Sequence, residues 1–281
     1  MNSITSPASD SFESNRYENF PVASILMPRK LRHPVQVIYA FARSADDFAD
    51  EGNAPDAVRL ANLETYRLEL KKIETGEATA SVLFKTLAEV IRQHELPLQP
   101  FYDLLDAFSQ DVVQKRYANF EVLMDYCRRS ANPVGNLMLH LYDQATPENS
   151  LLSDAICSAL QLINFWQDVE IDYAKPRIYI PQDDLLRFGV NEKHIAEKNY
   201  DQHFRELMLF EIRRARNLLL SGEPLGRVLK GRIGLEMRMI IAGGDRTLSK
   251  IAAVRGNVFR RRPVLRPWDW PLMLLRTMSL K

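Results

Sequence analysis

Asn164-Phe165-Trp166-Gln167-Asp168-Val169-Glu170-Ile171-Asp172, running on to Arg177-Ile178-Tyr179-Ile180-Pro181, closes a long apolar run over residues 151–166. The run reads as a core helix that continues to residue 172. Residues four apart share a helix face, so Asn164, Asp168 and Asp172 form one polar stripe. Two carboxylates and an amide at this spacing are hard oxygen ligands, suited to Mg²⁺ shared with a phosphate. Taken alone, such a stripe is better explained as a solvated helix face. The chain carries a second copy, however, Asp46-Asp47-Phe48-Ala49-Asp50, also on an apolar helix.

Working outward, the 281 residues are 46% hydrophobic and 26% charged, values of a globular chain with a sizeable core. A net charge of +1 gives no pull toward nucleic acid. The two cysteines, Cys127 and Cys157, form no CxxC pair, which argues against a disulfide framework or a zinc site and fits a reducing cytosol. The N-terminus lacks a signal-peptide pattern, and no apolar run reaches the roughly 18–20 residues that span a bilayer. The expected location is the cytoplasm, with peripheral contact at the inner face of the cell membrane as the extension discussed below.

Residues 1–15 read as disordered. Pro34 is expected to open a helix over 35–50, and further helices read at about 57–75, 79–95, 97–111, 119–130, 151–172, 200–221 and 231–255. Pro133 implies a kink or break near residue 133, and Gly243-Gly244 weakens the last long helix. No stretch alternates with period two long enough for a strand. The expected architecture is all-α: one domain over 16–255, of roughly ten to twelve helices around a central cavity.

Residues 256–281 stand apart as a tail. Counted from Arg255 to Lys281, seven Lys/Arg against the single acid Asp269 give a local charge of +6, and the stretch carries Trp268 and Trp270. Either it contacts a membrane surface, or it packs its tryptophans back onto the domain with its arginines solvated.

In each acidic motif the outer pair, Asp46/Asp50 and Asp168/Asp172, shares a face, while Asp47 points about 100° away and is expected to be solvated or supporting. Four carboxylates facing one cavity would repel and raise one another's pKa values. Divalent cations remove that penalty and can hold a diphosphate, whose metal-assisted loss generates a carbocation. Apolar and aromatic walls tolerate such a cation, and Phe20, Tyr39, Phe41, Tyr126, Phe165 and Tyr179 are the candidates, each also readable as plain core. Arg43 and Arg177 either bind diphosphate or pair with neighbouring carboxylates. The five histidines show no ligand spacing, and neither a nucleophile elbow nor a glycine-rich phosphate loop occurs.

Three blocks together resemble the squalene/phytoene synthase family of head-to-head prenyl transferases. They are the run from Tyr39 through Arg43 to Asp50, Tyr126-Cys127-Arg128-Arg129-Ser130-Ala131-Asn132-Pro133-Val134-Gly135, and the run from Gln161 through Asp168 to Pro181. The resemblance implies the isoprenoid synthase bundle, with Mg²⁺ (Mn²⁺ as an alternative) held by Asp46, Asp50, Asn164, Asp168 and Asp172. It further implies substrate contacts from Phe20, Ser24, Tyr39, Arg43, Ala131, Val134, Gln161, Asn164, Phe165, Arg177 and Tyr179, and a catalytic part for Tyr126.

Within the family, Glu18-Asn19-Phe20-Pro21-Val22-Ala23-Ser24, the Arg-Arg-Ser-Ala-Asn-Pro-Val-Gly run and Asn164-Phe165-Trp166-Gln167-Asp168 are most similar to the bacterial hydroxysqualene synthases of hopanoid synthesis. These ionise presqualene diphosphate and let water capture the cation, with no NADPH expected and with pathway enzymes before and after as partners. Condensing members commonly carry arginine where this chain has Gln167, which cannot pair ionically with phosphate. That departure fits a substrate with one diphosphate, and Gln167 is a candidate to orient the capturing water. The alternatives are a squalene, presqualene diphosphate or phytoene synthase condensing two prenyl diphosphates, and more distantly a non-catalytic helical scaffold docking on membranes.

Overall fold

A computed structural model describes residues 27–279. Fourteen helices follow one another there: α1 (Arg29–Asp50), α2 (Asp56–Thr75), α3 (Val82–Gln93), α4 (Gln99–Val113), α5 (Phe120–Ser130), α6 (Asn132–Leu141), α7 (Pro147–Gln167), α8 (Val169–Ala174), α9 (Gln182–Arg187), α10 (Glu192–Ala196), α11 (Gln202–Ser221), α12 (Leu225–Val228), α13 (Gly231–Ala253) and α14 (Asp269–Ser279). The all-α expectation holds, with more helices than the ten to twelve anticipated because short turns such as α8, α10 and α12 lack a readable period. Among the described residues the only β pairing is an isolated parallel bridge between Arg116 and Ile178.

The helix starts follow local chemistry. Asn119 caps α5 by accepting from the Val122 N–H at 2.9 Å, and Asp201 caps α11 through the Phe204 N–H at 2.9 Å. Thr146 caps α7 with Pro147 in its first turn, so this helix begins four residues before the expected position 151. By contrast, α1 starts at Arg29 and contains Pro34 rather than opening on it. The helix continues through Pro34 despite the missing N–H, and Leu31, Pro34 and Val35 are buried in the core, which offsets that cost. The break foreseen at Pro133 lies at Ala131, between α5 and α6.

The expected single helix over 151–172 is interrupted. Asp168 leaves helical geometry (φ −106°, ψ 16°), dividing α7 from α8. The ladder still bridges the bend, because the Asp168 N–H reaches the Asn164 carbonyl at 2.9 Å and the Asp172 N–H reaches the Asp168 carbonyl at 2.8 Å. The bend coincides with an extended strap, residues 257–266, whose Pro263 carbonyl accepts from the Gln167 amide.

Two apolar clusters form the core. One joins α1 to α4, around Phe41, Phe84 and Phe101; the other gathers α5, α7, α11 and α13 around Trp166, Leu162 and Phe204. α7 is central, packed by α5, α6, α11 and α13. Two glycines allow this closeness. A Cβ at Gly135 would sit against Ser153 Oγ and 2.6 Å from Cys157 Sγ, and one at Gly244 would lie 3.0–3.3 Å from Leu160, Leu219 and Ile163. The Gly243-Gly244 pair thus serves packing, and α13 runs through it unbroken. Gly135→Leu is expected to cost about 1–3 kcal/mol by forcing α6 away from α7, read as a lower urea midpoint; an unchanged midpoint would show that the two helices can part freely.

Candidate active site

A cavity of about 570 Å³ opens at the seam between the two core clusters, walled by α1, α4, α5, α6, α7 and α13. Most of its lining is apolar, including Ile38, Leu104, Phe108, Leu137, Met138, Ile156, Leu160 and Ile240. The predicted residues Tyr39, Arg43, Asp46, Tyr126, Val134 and Gln161 all lie on its wall. A second, narrow crevice beside it is lined by Phe165, Asp172, Arg177 and Tyr179. Ala131 sits at the α5–α6 junction, outside both linings. Phe20 and Ser24, with the disorder expected for residues 1–15, lie outside the described residues.

The two aspartate motifs are joined by ion pairs between α1 and the segment after α8. Arg177 Nη2 lies 2.6 Å from Asp50 Oδ1, and Lys175 Nζ lies 3.0 Å from Asp50 Oδ2. Burial alone would raise the Asp50 pKa, but these two cations outweigh it and hold the carboxyl below its usual range. Asp46 has only a longer, single contact with Arg43. Burial first, then the charge of Asp50, push it up to about 7, although Arg43 counters at 3.5 Å. Asp172 behaves alike: burial and the charge of Asp168 push it up to about 8.

The second face of this site is Asp111, on α4, which the sequence reading did not single out. Its carboxylate is buried and accepts from the Tyr126 hydroxyl at 2.6 Å and the Tyr179 hydroxyl at 3.1 Å. Its carbonyl accepts from Arg177 Nη2 at 3.0 Å and from Lys115 Nζ at 2.5 Å. Burial raises the Asp111 pKa to about 6, opposed by Arg177 and the Tyr126 hydroxyl. The Ile178 N–H to Lys115 carbonyl bond at 3.0 Å and the Gln182 N–H to Tyr117 carbonyl bond at 2.9 Å lay residues 177–182 along α4's exit. That register carries Arg177 and Tyr179 to Asp111. Tyr179 stacks on Phe165 (3.7 Å between centroids, 6° between planes), and Tyr126 and Tyr117 complete a cluster of ring faces.

Where the reading left alternatives, the structure shows which contacts form. Arg43 is engaged with Asp47 at 2.7 Å while still facing the cavity, the carboxylate pairing that was one reading of Arg43 and a supporting part for Asp47. Arg177 is a buried tie between Asp50 and Asp111, not a group presented to the main cavity. Gln167, 2% exposed, directs its amide to the Pro263 carbonyl and is on neither lining. Asp168 is gripped by the Arg262 guanidinium through Nε to Oδ1 and Nη2 to Oδ2, the latter at 2.9 Å. The tail therefore packs onto the domain, but its tryptophans do not: Trp268 and Trp270 face out, and of its arginines Arg262 and Arg276 are ion-paired while Arg260 and Arg261 are exposed.

An apolar chamber ending in carboxylates and a guanidinium, framed by two facing aspartate helices of an all-α bundle, defines an isoprenoid synthase. The chain belongs to the squalene/phytoene synthase family, whose description matches residues 14–269. It is 35% identical over 244 residues to the hydroxysqualene synthase of Zymomonas mobilis, covering 85% of this chain and 80% of that protein. The hydroxysqualene synthase of Rhodopseudomonas palustris is likewise 35% identical, over 83% of this chain and 79% of that one. Among solved structures, the squalene synthase HpnC of Alicyclobacillus acidocaldarius superposes with a TM-score of 0.80 at 35% identity, covering 86% of this chain and 90% of that one. The chain is thus an enzyme of this family. No helix among the described residues is long and apolar enough to cross a membrane.

Proposed function

We propose that the enzyme converts presqualene diphosphate to hydroxysqualene, by diphosphate ionisation, cation rearrangement and water capture, with Mg²⁺ as cofactor. The observation that carries this reading is Asp46 and Arg43 set together in the wall of an otherwise apolar cavity, an anion-handling pole on a hydrocarbon chamber. The similarity to named hydroxysqualene synthases supports the particular product.

The donor set fits a hard divalent cation. Asp46, Asp50, Asp168 and Asp172, with Asn164, are all-oxygen ligands, and Asp172 Oδ2 is buried without a hydrogen-bond partner among the described residues. Among the described residues no three His, Cys, Asp or Glu are grouped so as to hold a metal ion by themselves, so Mg²⁺ would have to be held jointly with substrate phosphates and water. Bound there, it would supply Lewis-acid stabilisation of the departing diphosphate.

The chain's own groups do the rest. Arg43, already at the cavity, exchanges Asp47 for diphosphate oxygens. The faces of Tyr126, Phe165 and Tyr179 attract positive charge. Asp111 accepts from the hydroxyls of Tyr126 and Tyr179, which fixes the orientation of both rings. The test is product analysis with presqualene diphosphate and farnesyl diphosphate offered separately, with Mg²⁺ and without NADPH. Hydroxysqualene from the first is expected; conversion of farnesyl diphosphate alone to presqualene diphosphate or squalene would overturn the assignment.

Arg262→Gln is expected to tighten Mg²⁺ binding about threefold to tenfold, because Asp168 then meets the ion without first releasing a bidentate guanidinium. Calorimetric titration of the substrate-free protein measures this. Equal affinities for variant and wild type would mean that Asp168 is not a ligand.

A further inference from the structure

α14 is held to the domain by one narrow stripe and exposes the rest of its surface. Asp269, fully buried, accepts from Arg246 Nε at 2.7 Å, from Lys250 and from the Arg266 N–H at 2.7 Å. Met273 and Thr277 are buried on the same side, and Arg276 pairs with Asp245 on α13. Residues 269, 273, 276 and 277 follow the i, i+4, i+7, i+8 spacing of one helix face. Around the rest of the helix and just before it stand the exposed Trp268 (59% exposed), Trp270 (41%), Leu272, Leu274 and Leu275 (66%). Five of the sixteen exposed large apolar side chains among the described residues lie in this span of eight. Isolated exposed leucines need no explanation, but a contiguous patch does.

The charge around the patch selects its occupant. Arg260 and Arg261 are exposed and make no ion pair among the described residues, and Arg266 lies 5.0 Å over the Trp268 ring. The only acid between residues 255 and 276, Asp269, is buried beneath the helix. A second copy of this face would bring arginine against arginine. An anionic surface with an apolar interior meets both features at once, tryptophans at the headgroup level and arginines on the lipid phosphates.

We propose that the outer face of α14, with Arg260 and Arg261, is a docking surface for an anionic lipid bilayer. This does not depend on the reaction proposed above. It does bear on it, because the strap runs directly from this surface to the second aspartate motif. Val264 is bonded to Lys250 at 2.7 Å, Pro263 to Gln167, and Arg262 to Asp168. Docking would therefore set the carboxylate end of the cavity beside the bilayer, where a long isoprenoid resides.

The test is flotation of the full chain with phosphatidylcholine vesicles with and without phosphatidylglycerol. Binding to the anionic vesicles is expected, weakening as salt rises. The pair Trp270→Ser and Leu274→Ser should lower the partition coefficient roughly tenfold or more. Arg260→Gln with Arg261→Gln should flatten the salt dependence. All four positions are at the surface, so circular dichroism and turnover in detergent should match wild type, separating lost docking from lost folding. Wild-type protein that ignores anionic vesicles, or serine variants that float as wild type does, would overturn the proposal. So would a wild-type dimer that the serine variants abolish without vesicles, since the patch would then belong to a second copy.

Discussion

Asp172→Asn is expected to reduce turnover about a thousandfold, a loss of about 4 kcal/mol in transition-state stabilisation. The substitution keeps the side chain's shape and one oxygen but removes the charge that would face the metal. Binding of the diphosphate's counter-ions, not the packing of α8, is what it deletes. The same change has an opposite effect on the metal-free protein. The Asp172 pKa is raised from 3.8 to about 8, by burial first and by the charge of Asp168 second. A carboxyl raised in the folded state contributes stability that is fully present below its unfolded pKa and is lost as pH rises through the folded one. Metal-free wild-type protein should therefore lose stability between about pH 4 and pH 8, with Asp46, raised to about 7, adding to the slope. Asp50, held low by Arg177 and Lys175, works the other way, its stability lost only as pH falls. In chelator at pH 8, Asp172→Asn should be more resistant to urea than wild type, and near pH 4 the two should converge. Turnover within tenfold of wild type would remove Asp172 from the metal site. An identical pH slope for the two proteins would show that its charge carries no penalty in the fold.

The helices were legible because apolar residues recur at helical spacing and because prolines, glycines and polar caps mark their ends. The Asp46/Asp50 and Asp168/Asp172 motifs lie close together, tied through Asp50 to Lys175 and Arg177, with Arg43, Asp46 and Tyr126 on the adjoining cavity wall. What escaped the reading depends on contacts between distant parts of the chain. Asp111 is a lone carboxylate on the apolar stripe Leu104, Phe108, Asp111 of α4, and an acid in such a stripe was a signal open to sequence inspection. Its partners, Tyr126, Tyr179 and Arg177, come from two other segments and no spacing rule connects them. The arginines of the tail look alike in composition. Only the strap's path decides that Arg262 holds Asp168 while Arg260 and Arg261 face outward. Gln167 shows the limit most plainly. Its neutral side chain reads as a missing phosphate ligand, whereas in the fold it fastens the strap that brings a different arginine to the neighbouring aspartate.

Asp111→Ala is expected to destabilise the protein by about 3 kcal/mol, or roughly 6–12 °C in Tm for a chain of this size. Two buried phenol hydroxyls, on Tyr126 and Tyr179, would lose their acceptor together, and each unsatisfied buried donor costs about 1–3 kcal/mol. Removing the burial penalty on the carboxylate itself offsets part of this, since its raised pKa shows that the charge is held against resistance. Asp111→Asn separates the two contributions. The amide keeps an acceptor for one hydroxyl and carries no charge, so a loss of about 1 kcal/mol is expected. If charge repulsion among the aspartates dominated instead, both variants would be more stable than wild type, and the idea of Asp111 as a structural acceptor would fall. Activity discriminates further. With Asp111 gone, the rings of Tyr126 and Tyr179 lose the bonds that fix their orientation, and a broader product spectrum from the alanine variant, read by chromatography of the extracted products, is expected. A variant that is destabilised yet gives a single product would confine Asp111 to holding the fold.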